Sequence, residues 1–326
     1  MIVACLAVLA GLVVLVWSAD RCVDGASVTA RNLGVSPLIV GLTIVALGTS
    51  APEILVSAVA SFDGQAGIGV GNAIGSNIAN IALVLGITAL ITPLIVKSDT
   101  LRREYPVLLA VMLVSLVLIA DGELGFVDGI LLLAGMGLVI AWVVRIGIRS
   151  RNDDPMVGEA EDSISEGMST RTAVFWMLLG LVLLLASSKL LVWGAVEIAT
   201  ELGVSDLIIG LTIIAIGTSL PELSATIASA LRNEHDIAVG NIVGSNMFNL
   251  LGVMAMPGLI MPGAISGDVL ARDFPIMVAL TLALYIMAVG VEGDGKINRI
   301  EGGILLSAYV GYMVWLYYSV VTTTGV

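Results

Sequence analysis

The chain has 326 residues, of which 58% are hydrophobic and only 12% are charged, and its formal net charge is −12. Soluble domains carry about 25% charged residues, so this composition excludes an ordinary soluble globular protein. The acidic balance argues against nucleic acid as a partner, because binding phosphates requires clustered Lys and Arg.

Long apolar runs recur from end to end, and each is long enough for a helix to cross a bilayer, which takes about 17–25 residues. A run such as VLLAVMLVSLVLIA does not alternate, so helices are predicted rather than barrel strands. The first run lacks the positively charged start of a signal peptide and is interpreted as a span. We predict an all-α polytopic membrane protein with ten transmembrane helices, at approximately 2–19, 36–61, 66–95, 105–120, 126–148, 172–193, 205–231, 237–262, 273–291 and 300–320.

The two halves of the chain repeat each other. GLTIVALGTSAPE at 41–53 matches GLTIIAIGTSLPE at 210–222, and GNAIGSNIAN at 71–80 matches GNIVGSNMFN at 240–249; both pairs are offset by 169 residues (210 minus 41). We therefore predict a first five-helix repeat at 1–148, a linker at 149–171 and a second five-helix repeat at 172–326. An odd number of spans per repeat makes the copies enter the membrane from opposite sides, as in alternating-access transporters.

Basic residues indicate the orientation of the predicted spans. Twelve of the 14 Lys and Arg residues fall on the side that follows spans 1, 3, 5, 7 and 9, and only Lys189 and Arg272 fall on the other. Because positive charge collects in cytoplasmic loops, we predict that the protein lies in the plasma (inner) membrane with its linker in the cytoplasm and both termini outside.

Two carboxylates lie in the middle of predicted spans, Glu53 in span 2 and Glu222 in span 7. A charge at that depth is costly and indicates a functional site. Pro52 and Pro221 precede them and lack the N–H that would bond the carbonyls of Gly48 and Gly217, so each helix should break there. Free carbonyls beside a carboxylate suit a hard cation, which prefers oxygen ligands.

Further polar residues follow helical spacing around the two glutamates. They form four stripes in otherwise apolar spans: Thr49, Ser50 and Glu53; Thr218, Ser219 and Glu222; Asn72, Ser76 and Asn80; and Asn241, Ser245 and Asn249. Glycines at 71, 75, 240 and 244 predict close backbone approach. Helix packing is an alternative role for an isolated residue such as Ser76. A structural ion pair is disfavoured for the glutamates, because spans 2, 3, 7 and 8 contain no Lys or Arg.

The paired GTSAPE/GNAIGSN and GTSLPE/GNIVGSN motifs resemble the α-repeats of the sodium/calcium exchanger family, within the cation/calcium antiporters. The resemblance covers all ten spans. It implies that Glu53 and Glu222 are central Ca²⁺ ligands, with oxygen atoms of Thr49 and Thr218. It further implies Na⁺ or site-lining roles for Ser50, Ser219, Ser76, Ser245, Asn80, Asn249 and the carbonyls of Ala46 and Ala215.

The same resemblance implies a secondary antiporter, not an enzyme, that exchanges Na⁺ for Ca²⁺ by alternating access and needs no cofactor. Spans 1 and 6 would slide against the other eight. A Ca²⁺/H⁺ or other divalent cation/proton exchanger on the same fold is the nearest alternative, and a cation channel is an alternative of another class. The sequence contains no phosphate-binding loop and no nucleophile with a histidine partner, and it leaves the oligomeric state open.

Overall fold

The computed structural model describes residues 1–96, 98–150, 168–202, 215–288 and 295–324, and these residues are almost entirely helical. The helical segments, numbered in chain order, are α1 Ile2–Leu33, α2 Pro37–Phe62, α3 Ala66–Ile91, α4 Ser98–Ile119, α5 Phe126–Ser150, α6 Thr170–Glu201, α7 Ala215–Thr218 with Leu220–Leu231, α8 His235–Ile260, α9 Val269–Ala288 and α10 Arg299–Thr324. Most of the predicted linker and the first part of predicted span 7 lie outside the described residues.

Within the described ranges, eight helices are long and apolar enough to cross a membrane, namely all of these except α4 and α7. The predicted membrane all-α fold is therefore confirmed, whereas the count of ten spans stays a prediction. In the most apolar stretch of each helix, 94% of residues are buried in α8 and 78% in α3, but only 17% in α5 and in α10. Helices α3 and α8 therefore form the centre of the protein, and α5 and α10 lie at its periphery.

The central helices α3 and α8 run in opposite directions. Asn77 Nδ2, in α3, donates a hydrogen bond to the Asn246 carbonyl in α8, at 3.2 Å. Earlier in α3, a Cβ placed on Gly69 would lie 2.7 Å from Cγ of Pro257, which comes later in α8. Rising residue numbers in one helix therefore meet falling numbers in the other, as inverted copies require.

Short strands join the two halves in a reciprocal way. The strands are β1 Leu94–Val96, β2 Glu123–Leu124, β3 Gly263–Ala264 and β4 Gly295–Ile297. Strand β1 follows α3 and pairs antiparallel with β4, while β3 follows α8 and pairs antiparallel with β2. Each half thus contributes the same two kinds of strand to the other half, which is the pattern expected of two copies related by a two-fold axis.

Helices α1 and α6 are longer than predicted. Each has 32 residues, although the predicted spans ended near Asp20 and Trp193. At 1.5 Å per residue each helix is about 48 Å long, more than the roughly 30 Å hydrocarbon core, so both extend beyond it or tilt. In α1 the predicted span stopped before Asp20, whereas the helix continues past it, and Asp20 and Asp24 pair with Arg232 beside the helix. Helix α1 ends at Leu33 and is capped by Gly34, whose φ of 64° is left-handed.

Helices α1 and α6 pack against each other along most of their length. Glycines allow this close approach: a Cβ on Gly25 would lie 2.5 Å from the Ala173 carbonyl oxygen, and one on Gly180 would lie 2.6 Å from the Cys22 nitrogen. Low residue numbers in α1 face high numbers in α6, so this pair is antiparallel as well. The two helices form a unit beside the α3–α8 centre.

The predicted close approach at glycine is confirmed in α8. A Cβ on Gly240 would lie 2.7 Å from the Leu38 carbonyl oxygen, and one on Gly244 would lie 2.6 Å from that of Leu42. No described residue lies within 4 Å of a Cβ placed on Gly71 or Gly75. By the repeat, these two glycines should face residues 207 and 211, the equivalents of Leu38 and Leu42. Residues 207 and 211 lie outside the described residues, so this part of the prediction stays untested.

Candidate cation-binding site

Both helices that carry a central glutamate are interrupted just before it. Helix α2 consists of a short helical start, a π-helix at Gly41–Val45, a turn of α-helix at Ala46–Thr49 and a second part at Ala51–Phe62. Helix α7 is likewise divided into Ala215–Thr218 and Leu220–Leu231. In both, the proline is the second residue of the later part. The predicted breaks are confirmed, and they place Glu53 and Glu222 in the first turn of a new helix, where the helix dipole favours negative charge.

The carbonyls of Gly48 and Gly217, which receive no N–H from Pro52 and Pro221, have different surroundings. Ser188 Oγ, from α6, donates a hydrogen bond of 3.1 Å to the carbonyl of Gly217, the acceptor that Pro221 leaves without an N–H. The residue equivalent to Ser188 in the first half is Ala19, which has no hydroxyl to offer Gly48. The sequence analysis missed Ser188, and the repeat gave no signal for it because serine and alanine occupy the matched positions.

Both glutamates are almost completely buried, each with 1% of its surface exposed. Among the described residues, Oε2 of Glu53 and Oε2 of Glu222 have no hydrogen-bond partner. Neither carboxylate forms an ion pair with a basic residue in the described ranges. An uncompensated buried carboxylate is strongly unfavourable, so these two groups require a cation or a proton.

Side chains of the two halves meet directly around these carboxylates. Ser50 Oγ donates to Glu222 Oε1 at 3.5 Å, at the outer limit of a hydrogen bond. Thr49 Oγ1 donates to Asn241 Oδ1 at 3.2 Å and lies 3.4 Å from Ser245 Oγ. The predicted residues of α2 therefore lie beside those of α7 and α8, in one site built from both halves.

Two asparagines support the glutamate backbones symmetrically. Asn72 Nδ2 donates to the Glu53 carbonyl at 3.1 Å, and Asn241 Nδ2 donates to the Glu222 carbonyl at 3.4 Å. Asn241 also donates to Thr226 Oγ1 at 3.0 Å. The sequence placed both asparagines on the polar stripes but did not include them among the site residues. The structure gives them a positioning role, because they fix the turn on which each carboxylate sits.

The asparagines deeper in the site lie at irregular points of α3 and α8. Asn80 begins a π-helix at Asn80–Leu85, and Asn249 begins one at Asn249–Val253. Such π-segments occur frequently at functional sites, because they turn backbone groups away from regular bonding. Asn80 Nδ2 donates to Asn246 Oδ1 at 3.1 Å, whereas both polar atoms of the Asn249 side chain lack a partner among the described residues.

The other predicted site residues are placed as follows. Ser76 Oγ contacts its own helix neighbour Asn72, at 3.4 Å. The Ala46 carbonyl accepts from Ser50 N at 2.9 Å and from Thr49 Oγ1 at 3.3 Å. Ser219 is buried and its side chain makes no hydrogen bond with a described residue, and Thr218 is half-buried. Ala215 begins the described part of α7, and its side chain lies outside the description.

The donor set consists of oxygen atoms, two of which belong to charged groups. Groups of three or more His, Cys, Asp or Glu suited to a metal ion are absent from the described part of the chain. Carboxylate, amide, hydroxyl and carbonyl oxygens are the ligands of hard cations such as Ca²⁺ and Na⁺. Two ionised carboxylates would balance the charge of one divalent ion or of two monovalent ions, so ions of both kinds could compete for this site.

Comparison with known proteins gives the same family over nearly the whole chain. The family model described as sodium/calcium exchanger protein matches twice, at residues 3–145 and 172–318. A protein of Alkalimonas amylolytica named as a candidate antiporter, CaxA, is 51% identical, and the match covers 98% of this chain and 100% of the relative. The sodium/calcium exchanger MaX1 of Methanosarcina acetivorans is 32% identical, over 96% of this chain and 98% of the relative.

A solved structure agrees with the fold as well. The sodium-calcium exchanger NCX_Mj, soaked with Na⁺ and Ca²⁺, aligns with a TM-score of 0.82 and 34% sequence identity, over 96% of this chain and 98% of that one. The family resemblance of the paired motifs is therefore confirmed, as is the transporter class. The chain belongs to the sodium/calcium exchanger family of membrane antiporters.

Proposed function

We propose that the protein exchanges Na⁺ for Ca²⁺ across the membrane by alternating access, at one site built from both halves. The observation that carries the proposal is the pair of buried glutamates that have no ion-pair partner among the described residues and are surrounded by neutral oxygens. The names of MaX1 and NCX_Mj, both sodium/calcium exchangers, support sodium as the coupling ion.

The proposed ligands are those predicted from the sequence. Glu53 and Glu222 hold Ca²⁺ together with Thr49 and Thr218. Na⁺ is held by Ser50, Ser219, Ser76 and Ser245 with the carbonyls of Ala46 and Ala215, and Asn80 and Asn249 line the middle of the site. The contacts of Thr49 and Ser50 with the second half support a shared site. The two glutamates carry a charge of about −2 when both are ionised, which one Ca²⁺ or two Na⁺ would neutralise.

The test is calcium flux in proteoliposomes that hold the purified protein. An outward Na⁺ gradient should drive Ca²⁺ uptake, and replacing Na⁺ by choline at equal ionic strength should abolish it. Uptake that follows an imposed pH gradient and ignores Na⁺ would replace the proposal by Ca²⁺/H⁺ exchange. A unitary current without counter-ion dependence would replace it by a channel.

The site should prefer Ca²⁺ to Mg²⁺. Calcium accepts 6–8 oxygen ligands in flexible geometry, whereas Mg²⁺ requires near-octahedral ligands and gives up water reluctantly. A mixed set of carboxylates, hydroxyls and amides suits the larger ion. We therefore expect a tenfold excess of Mg²⁺ over Ca²⁺ to reduce calcium uptake by less than half. Equal inhibition by equimolar Mg²⁺ would contradict this assignment of the ligands.

We also propose that residues 1–148 and 172–326 are two five-helix repeats in the plasma membrane, joined by a cytoplasmic linker, with both termini outside. The double match of the family model and the bias of basic residues support this arrangement. A single cysteine at position 163, made as Ser163→Cys in a variant without Cys5 and Cys22, should react with an impermeant maleimide only after the cells are opened. Labelling in intact cells would contradict this orientation and place the linker outside.

A further inference from the structure

The two ends of the α1–α6 unit contact the rest of the protein unequally. Helix α1 packs along Leu220–Leu231, the second part of α7, whereas α6 makes no comparable contact with Ala51–Phe62, the equivalent part of α2. Accordingly Val56 is 40% exposed, whereas Ala225, its equivalent in the second half, is 0% exposed. The described conformation is therefore closed near the α7–α8 turn and not closed near the α2–α3 turn.

Ion pairs hold the closed end together. Arg232, at the end of α7, lies 2.6 Å from Asp20 (Nη2 to Oδ1) and 3.0 Å from Asp24 (Nη1 to Oδ1), both in α1. Glu234, two residues later, lies 2.6 Å from Nη2 of Arg31 and also accepts from Ser27. The α7–α8 turn thus binds α1 through two groups of opposite charge, at the other end of the helical segment whose first turn holds Glu222.

The residues equivalent to Asp20 and Arg232 in the other halves of the repeat also have opposite charges, but with the signs exchanged. An offset of 169 residues relates Asp20 to Lys189 and Asp63 to Arg232, so that an acid on the long helix becomes a base and a base on the turn becomes an acid. Both Asp63 and Lys189 are exposed, and neither forms an ion pair with a described residue. Asp63 and Lys189 therefore carry opposite charges at equivalent positions, although they form no ion pair in the described conformation.

We infer that Asp63 and Lys189 form the counterpart ion pair when the opposite end of the α1–α6 unit closes. The inference rests on the proposed alternating access. Inverted repeats change state when each half adopts the conformation of the other, so the contact between Arg232 and Asp20 should be replaced by that between Asp63 and Lys189. Exposed ion pairs are weak, which allows each to break in every transport cycle.

The two ends are not equally strong. Asp24, which adds a second ion pair to Arg232, is replaced by Trp193 at the equivalent position in α6. The counterpart of the Arg31–Glu234 pair is missing as well, because its equivalents are Thr200 and Gln65. The charges therefore favour the described conformation at rest, and Asp24→Asn should shift the population toward the opposite one.

Cysteine cross-linking tests the pair directly. The variant Asp63→Cys with Lys189→Cys is made in a Cys5→Ala and Cys22→Ala background that retains transport. It is treated with an oxidant under three conditions: without ions, with Ca²⁺ and with Na⁺. The control pair is Asp20→Cys with Arg232→Cys. We expect both pairs to cross-link, with the yield of one rising across these conditions as the other falls, and either disulfide should stop calcium flux until it is reduced. Cross-linking of the control alone, under every condition, would overturn the inference.

Exchanging the charges of Asp63 and Lys189 supplies a second test, whose expected result would not be seen if the two residues had only a structural role. Asp63→Lys and Lys189→Asp should each lower the rate of calcium flux several-fold while leaving equilibrium Ca²⁺ binding unchanged, and the double variant should recover to within about twofold of the parent. A double variant no faster than the slower single variant would contradict the pair. Neither readout requires Na⁺ to be the coupling ion, so loss of sodium dependence in the parent would refute the proposed function and leave this test intact.

Discussion

The two interrupted helices of the site, α2 and α7, share ten of thirteen residues around their glutamates but differ in what surrounds them. In α7 the carbonyl freed by Pro221 receives a hydrogen bond from Ser188, and the later part of the helix packs against α1. In α2 the equivalent residue of the long helix is Ala19, and one face of the later part, with Leu55, Val56 and Val59, is exposed. The motif therefore specifies the ligands, while residues outside the motif decide how firmly each half is held.

The glutamates themselves should be equivalent despite these different surroundings. We expect Glu53→Gln and Glu222→Gln each to lower sodium-driven calcium flux at least 100-fold, because each removes a charge and a possible bidentate ligand. A loss of about 3 kcal/mol in coordination suffices, since about 1.4 kcal/mol corresponds to tenfold in affinity. The measurement is ⁴⁵Ca²⁺ uptake into proteoliposomes.

The control for this comparison is folding. Glutamine removes a buried charge, so both variants should elute as the parent does in size-exclusion chromatography and unfold at no lower temperature. If Glu222→Gln exchanged calcium at a near-parental rate while Glu53→Gln was inactive, the second half would be a scaffold rather than half of the site.

Ser188 should distinguish the two halves. Ser188→Ala leaves the Gly217 carbonyl without its donor and should reduce calcium flux at least about fivefold, because an unsatisfied buried polar group costs about 1 kcal/mol or more. The matched control is Ser187→Ala, since Ser187 donates only to Leu184 within its own helix. Equal effects of the two substitutions would assign the loss to α6 itself. In the first half, Ala19→Ser should leave flux at or above the parental rate.

The deeper asparagines should show the smallest effects. Asn80→Ala removes the hydrogen bond to Asn246, and Asn249→Ala removes a side chain without a described partner. Both remove only neutral ligands, so each should weaken calcium transport less than loss of a glutamate does, by about tenfold or less. Asn80→Ala should also lower the unfolding temperature more than Asn249→Ala does. The opposite order in thermal unfolding would contradict the asymmetry between the two halves.

Much of this arrangement could be predicted from the residues. Apolar length gave the membrane class, and the 169-residue repeat predicted the inverted packing of α3 and α8. Proline before glutamate predicted both helix breaks. The length of α1 was underestimated, because hydropathy cannot distinguish a charge that ends a helix from one that pairs with Arg232 on a neighbouring helix. The roles of Ser188, Asn77 and Asn246 depend on contacts between distant segments, which spacing along one chain does not reveal.

The central claim is that one site, shared by both halves, binds both ions. Equilibrium binding of ⁴⁵Ca²⁺ to the purified protein in detergent tests it most directly, with Na⁺ as competitor and with Glu53→Gln and Glu222→Gln as variants. The account predicts about one Ca²⁺ per chain, displaced by Na⁺ and lost in either variant. Calcium binding that persists in one variant, or that Na⁺ does not displace, would contradict a shared site.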